Sequence, residues 1–180
     1  MRFYSFVNGL YFNSLQHGLQ TAHAITKMSL IQHDMYKEWA ENHETIIILD
    51  AGNVRELTKV YNLLNFLVIF YNDEIVPNMV TEYKDSCIIP LVDYHESEML
   101  GNIKTCVGMV LPEYIYDYHT HHDMFDFGKL NKTETFEHGT ELARKFLYED
   151  IKVTDNLDYY TDLVHYLIYS LIKSYNLASH

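Results

Sequence analysis

The first two-thirds of the chain alternates between short apolar runs and longer segments in which apolar residues recur at helical spacing. The apolar runs predict strands, and the spacing between them predicts helices. A chain with this alternation is expected to fold as an α/β structure with a mixed sheet of about four strands flanked by helices. The candidate strands are RFYSFVNGLYF, ETIIILDAG, FLVIFYNDE, SCIIPLVDY and IKTCVGMVLPEYI, and the isoleucines of the second predict that it is buried.

The composition changes near Tyr118, after which few β-branched runs occur. Two helical patterns follow, at Thr133–Tyr148 and Asp155–Tyr175. We therefore predict an α/β domain over residues 1–116 and a helical C-terminal extension over residues 117–180. The last helix is apolar around more than one face, so its own domain or a partner must cover it. Its leucines favour packing in the core, and its tyrosines favour a homo-oligomer or protein-partner contact.

The charge of the chain excludes a general nucleic-acid binder. Its 180 residues carry a formal net charge of −12, with only 13 lysines and arginines to neutralise phosphates. Any contact with nucleic acid must therefore be local. Cys87 and Cys106 lie in apolar runs and are predicted to be buried thiols, which fits a reducing compartment. No apolar run approaches the roughly 20 residues of a membrane span, so we predict a cytoplasmic protein without a membrane partner.

The helix predicted at Ser14 to Met28 carries a polar row that its core-facing side does not explain. At about 100° per residue, Gln16, Gln20, His23 and Lys27 lie on one side, opposite an apolar face. Ser14 is a suitable N-cap for this helix, since its hydroxyl can accept a bond from a free backbone N–H. The polar row is a candidate wall of a functional site.

Three short motifs occur in a recognisable order. The segment QTAHA contains Gln20, His23 and Ala24, the segment PLVD ends in Asp93, and TCVGMVLP supplies Thr105 and Gly108, with Thr105 twelve residues after Asp93. Together they resemble the motifs of type II peptidyl-tRNA hydrolases over about Arg2 to Ile115. The chain is similar to a divergent member of that family, such as those encoded by phage genomes.

The resemblance implies a hydrolase-like protein that acts on peptidyl- or aminoacyl-tRNA esters and contacts the tRNA acceptor end. It implies catalytic roles for His23, Asp93 and Thr105, with Gln16 and Gln20 binding the substrate, and it implies no cofactor. The family's lysine falls on Gln16, and a neutral amide cannot replace an ammonium beside a phosphate or an oxyanion. Lys27, near the other end of the helix, is expected to be a poor substitute. Whether activity survives is therefore open.

Two alternatives remain at this point. A relative without activity would act as a protein-binding module. A two-histidine phosphoesterase would use a pair of His-x-Thr/Ser motifs, and His43 with Thr45 and His95 with Ser97 match that pattern. A separate cluster, His119, His121, His122 and Asp123, contains metal-ligand types, but matching distant ligands are not evident, so we expect no metal site.

Overall fold

The sheet is built from strands that are distant in sequence. The computed structural model describes residues 1–9, 13–31, 33–80, 87–96, 98, 101–118, 130–149 and 151–178. Its four strands are β1 (Arg2–Val7), β2 (Ile46–Asp50), β3 (Leu91–His95) and β4 (Lys104–Leu111), in the order β2-β1-β4-β3. Strand β1 is parallel to β2, and β4 is antiparallel to both β1 and β3. The predicted mixed α/β sheet is confirmed.

Helices cover both faces of this sheet. They are α1 (Ser14–Ser29), α2 (Asp34–Asn42), α3 (Val54–Ile69), α4 (Glu113–Tyr116), α5 (Lys132–Tyr148) and α6 (Leu157–Lys173). Helix α3 continues into a π-helical segment, Phe70–Ile75, and a 3-10 turn, Val76–Asn78, and a second 3-10 turn, Val153–Asn156, leads into α6. None of the helices in the described part of the chain is long and apolar enough to cross a membrane.

The expectation of a strand at FLVIFYNDE is wrong. That segment forms the end of α3 and most of the π-helix, because its buried residues Leu67, Val68 and Tyr71 follow a helical period rather than alternating. The predicted N-cap of α1 is also displaced by one residue. The side chain of Asn13, not Ser14, accepts the hydrogen bond from the backbone N–H of Gln16 at 2.9 Å.

Two clusters of buried residues form the core, one on each face of the sheet. On the first face, Phe3 and Val7 of β1 pack with residues of α1 and α2 such as Met28 and Trp39. On the second face, β1 and β4 pack against α3 and α6, and Leu163, Leu167 and Leu171 of α6 are all buried there. The second cluster therefore contains residues from both sides of the predicted boundary at 116/117.

Strand β2 is not the interior strand that its isoleucines suggest. It lies at one edge of the sheet, and Ile46 is 42% exposed. Residues 176–178 run along its outer side, where Asp50 N–H donates to Asn176 O at 3.0 Å and Ala178 N–H donates to Ile48 O at 2.9 Å. These bonds satisfy backbone groups that an open edge would leave unpaired.

Candidate functional site

Helix α1 lies along the edge strand β3, and its polar row meets that strand residue by residue. Gln20 Nε2 donates to Glu96 Oε1 at 2.7 Å, the ring of His23 stacks on Tyr94 with centroids 4.6 Å apart, and Lys27 Nζ donates to Asp93 O at 2.6 Å. Helix α1 and strand β3 therefore run in opposite directions along this contact. The polar row borders two groups of side chains around β3. Tyr94 and Thr105 meet it on the α1 face of the sheet, whereas Asp93, His95 and Lys104 lie on the α3 face, and Lys27 reaches Asp93 at the edge of the sheet. We name the two groups together the Asp93 cluster: Gln20, His23, Lys27, Asp93, Tyr94, His95, Glu96, Lys104 and Thr105.

An irregularity in the β3–β4 pairing brings Thr105 to this cluster. Tyr94 pairs with Cys106 and His95 pairs with Lys104, so Thr105 is an extra residue on β4. Such a bulge breaks the alternation of side chains along a strand. Thr105 therefore contacts α1 on the same face as Cys106, while Lys104 reaches α3 on the other face.

Gln20 and Thr105 form a buried, fully directed pair. Thr105 Oγ1 donates to Gln20 Oε1 at 2.6 Å, and the amide NH₂ of Gln20 is then free to donate to Glu96. Both side chains are buried. The pair fixes the position of α1 relative to β3 and β4, and it holds the helix row beside the strand ends.

Asp93 is the centre of charge of the cluster. Its Oδ1 accepts from Lys27 Nζ at 3.0 Å, and its Oδ2 accepts from Lys104 Nζ at 3.0 Å and from His95 Nε2 at 2.9 Å. Burial raises the pKa of Asp93, but the hydrogen bonds from His95, Lys104 and Lys27 outweigh it and hold that pKa well below its ordinary value. Asp93 is therefore an ionised carboxylate that positions the basic side chains around it. It is a weak proton acceptor.

His95 lies between two hydrogen-bond acceptors. Its Nε2 lies 2.9 Å from Oδ2 of Asp93, and its Nδ1 lies 3.1 Å from the backbone oxygen of Asn102. Lys27 and Lys104 balance the charges of Asp93 and Glu96, in a chain whose net charge is −12.

Lys104 is the most enclosed of the three basic side chains that contact Asp93. Its side chain is 9% exposed, and its ammonium lies 3.1 Å from the centroid of the Tyr61 ring on α3. A cation over an aromatic face is attracted by the ring quadrupole. Lys27, by contrast, is 50% exposed and presents its ammonium to solvent as well as to Asp93.

Three of the five residues predicted for the site, Gln20, His23 and Thr105, lie on the α1 face of the sheet. The side chain of Asp93 lies on the α3 face with His95 and Lys104, and Lys27 joins it to the row on α1. Gln16 is exposed one turn earlier on α1, and its side chain makes no hydrogen bond within the described part of the chain. The expectation for Lys27 needs revision, because its ammonium, and not the residue at position 16, reaches Asp93.

Glu96 and Lys104 are the members that sequence reasoning missed, and His95 was named only for the phosphoesterase alternative. His95 follows Asp93 by two residues on the same strand, which places both side chains on one face. Lys104 directly precedes Thr105 and could have been found from that motif. The bulge that places Thr105 on the same face as Cys106 had no sequence signal.

The geometry separates the motifs of the phosphoesterase alternative. His43 precedes β2 at one edge of the sheet, and His95 ends β3 at the other edge, where the strands run in the same direction. The two histidines are therefore at opposite edges and opposite ends, and Ser97 lies outside the described residues. The cluster of His119, His121, His122 and Asp123 also lies outside them. Within the described ranges no group of three or more metal-ligating side chains occurs.

Comparisons with family descriptions, with curated proteins and with solved structures find no match to this chain. The interpretation of the site therefore depends on its contacts and charges.

Proposed function

We propose that this chain is a hydrolase-like protein that acts on the ester of peptidyl- or aminoacyl-tRNA, with the Asp93 cluster as its site. The observation that carries the proposal is that one row of α1 holds Gln20 on Thr105, His23 on Tyr94 and Lys27 on Asp93, so that the segments with family-like spacing in sequence meet along one helix. A tRNA substrate is consistent with a cytoplasmic protein. The net charge of −12 restricts the contact to a local one at the acceptor end, where the exposed ammonium of Lys27 can meet a phosphate or an oxyanion.

Lys27 replaces the missing family lysine in this proposal. Its ammonium is half-exposed and anchored to both the backbone oxygen and the carboxylate of Asp93. An ammonium held in this way can stabilise the oxyanion that forms when an ester carbonyl is attacked. His95 and Lys104 keep Asp93 ionised and aligned, so that Lys27 is oriented before the substrate binds.

His23 is the proposed general base. Within the described residues its ring nitrogens have no hydrogen-bond partner, and its stack on Tyr94 fixes the plane of the ring. A water molecule would transfer a proton to His23 as its oxygen attacks the ester carbonyl. His23 would then return that proton to the ribose oxygen as the carbon–oxygen bond breaks. Asp93 is unsuited to this role because its pKa is lowered.

The test is a single-turnover hydrolysis assay on N-acetylaminoacyl-tRNA with the full chain. We expect Lys27→Met to lower kcat/KM on the order of 10²-fold, as loss of an oxyanion donor does. Lys37→Met is the matched control, because Lys37 is an exposed lysine paired with Asp34 on α2, away from the cluster, and it should change the rate by less than about 2-fold. No hydrolysis by the parent chain, or equal losses in both variants, would contradict the proposal.

A binding module without catalysis is the second candidate. Two features favour it: Gln20 and Thr105 are buried away from a substrate, and three basic side chains already occupy the carboxylate of Asp93. In this case the acceptor end or a protein partner would bind without turnover. A homo-oligomer or partner contact through the C-terminal helix α6 would then use its partly exposed tyrosines Tyr159, Tyr160 and Tyr169. Binding of a deacylated tRNA acceptor stem in the absence of hydrolysis would support this candidate.

A further inference from the structure

Helices α3 and α5 pack side by side in parallel and in a seven-residue register. Lys132 lies 3.6 Å from Glu56 at their N-terminal ends, and the rings of Phe70 and Phe146 are 4.9 Å apart at the other end. Between these pairs, Gly139 faces Leu63 so closely that a Cβ would overlap the leucine side chain. The two helices therefore pack closely along their length and leave an unfilled seam between them on their solvent-facing side.

This seam is a continuous groove. It consists of two concave sections of about 620 Å³ and about 450 Å³, and both are lined by Asn62 and Phe66. The first section extends towards Glu56 and Lys132, and the second extends towards Asp73 and Leu147. From Glu56 to Glu74 the groove follows α3 and the π-helix over a length of about 27 Å, at about 1.5 Å per residue.

The walls of the groove are apolar and partly open to solvent. Phe66, Phe136 and Phe146 are half-buried, whereas Ile69 is 49% exposed and Leu147 is 67% exposed. A connected apolar surface of this kind marks an interaction site more often than isolated exposed residues do.

The charges of the groove reverse from one end to the other. At the first end, Lys59 and Lys132 share the carboxylate of Glu56, which leaves one positive charge. At the second end, Asp73 and Glu74 are both acidic, and within the described part of the chain neither side chain forms an ion pair. Lys59 and Asp73 are each seven residues from Phe66, on opposite sides of it.

We propose that a second copy of this chain occupies the groove, related by a two-fold axis near Phe66. A two-fold interface is self-complementary, since each residue contacts the same partner in both directions. The axis exchanges the two ends of the groove and places Lys59 opposite the partner's Asp73. The apolar walls of both copies then bury each other as a four-helix arrangement. The reversal of charge about a shared aromatic centre favours a second copy over an unrelated helix.

The experiment measures self-association of the full chain by light scattering and sedimentation equilibrium at 0.15 M salt, where screening limits repulsion between the acidic chains to about 8 Å. The parent chain should have twice the monomer mass. Lys59→Glu and Asp73→Lys should each weaken the dimer at least about 10-fold, because each juxtaposes like charges. The double variant Lys59→Glu/Asp73→Lys should restore the dimer to within about 3-fold of the parent.

Two further variants separate the groove from other surfaces. Leu147→Glu should dissociate the dimer, whereas Leu15→Glu, at a leucine on α1 that is even more exposed, should not. Thermal melting of each variant checks that it is folded. A parent chain that stays monomeric up to about 100 µM would overturn the proposal. Failure of the double variant to rescue, or dissociation by Tyr169→Glu on α6 in place of the groove variants, would also overturn it.

Discussion

His165 shows how a single residue can couple this fold to pH. It lies on α6 with its ring between those of Tyr71 and Tyr114, at centroid distances of 5.1 and 5.3 Å. Its Nε2 is buried and has no hydrogen-bond partner within the described residues. Burial lowers the pKa of His165 to about 4, so the ring is neutral at pH 7.

We expect the free energy of unfolding to fall between pH 6.5 and 4 because of this residue. Over that range the unfolded chain binds a proton at His165 that the native chain does not, so stability rises with pH and falls as acid is added. The full effect is about 3 kcal/mol, at 1.36 kcal/mol per unit of pKa difference. His165→Phe keeps a ring between the two tyrosines and should reduce the pH dependence in urea titrations. An unchanged pH dependence would show that His165 is solvated.

At the same scale, helical spacing placed Gln20, His23 and Lys27 along one side of α1, but the assignment of the opposite, apolar side to the core is wrong. Leu15 and Leu19 on that side are 82% and 53% exposed, whereas Gln20 is buried. Lys104 and Thr105 could not be assigned to the correct faces of the sheet, because the bulge at Thr105 depends on pairing with β3. The pairing of strands is set by the tertiary structure, and the alternation of residues along one strand does not reveal it.

Among the secondary-structure elements, the contact between α1 and β4 depends on a missing side chain. A Cβ at Gly108 would lie 2.5 Å from Cζ of Phe3 and 3.3 Å from Cβ of Ala24. Phe3 and Ala24 are fully buried, so neither can move aside easily. Gly108 therefore sets the distance at which α1 crosses the sheet, and with it the position of the polar row.

Two glycine substitutions should have opposite effects. Gly108→Ala should lower the free energy of unfolding by about 1–3 kcal/mol, since it overpacks the α1–β4 contact. Gly18→Ala should raise it by up to about 1 kcal/mol, because no atom approaches within 4 Å of that position and alanine favours a helix. Urea denaturation of both variants measures the difference. A neutral Gly108→Ala would mean that the helix has room to shift.

Whether an element is a helix or a strand was predictable where apolar residues kept one spacing over a long segment. Helices α5 and α6 follow from spacing that extends over several turns, at Thr133–Tyr148 and Asp155–Tyr175. The segment FLVIFYNDE is apolar on consecutive positions, and such a run is compatible with either a strand or a buried helix. The choice between them is made by α6 and the sheet, which together bury α3 on more than one side.

At the scale of the whole molecule, the last helix and the sheet share one core. Leu167 is fully buried in the cluster that also contains Phe6 of β1 and Leu64 of α3. The predicted division at 116/117 separates two parts of the chain whose side chains are in mutual contact. Composition marks the change from strands to helices, but it does not show that the two parts pack together.

Leu167→Ala tests whether the two parts unfold together. Truncation of a fully buried leucine should cost about 2–5 kcal/mol. If the core is shared, the variant should show one unfolding transition at lower temperature by both near-UV circular dichroism and calorimetry. An earlier, separate transition that leaves the sheet signal intact would indicate an independent C-terminal extension.

The centre of the sheet also has a consequence for how this chain reaches its native state. Strand β1 pairs with β4, which follows it by roughly 100 residues. Closing so long a loop costs entropy before any contact repays it, which slows folding relative to chains built from local contacts. During synthesis the aromatic side chains Phe3, Tyr4 and Phe6 emerge long before their partners, and over that interval they are natural clients for a chaperone.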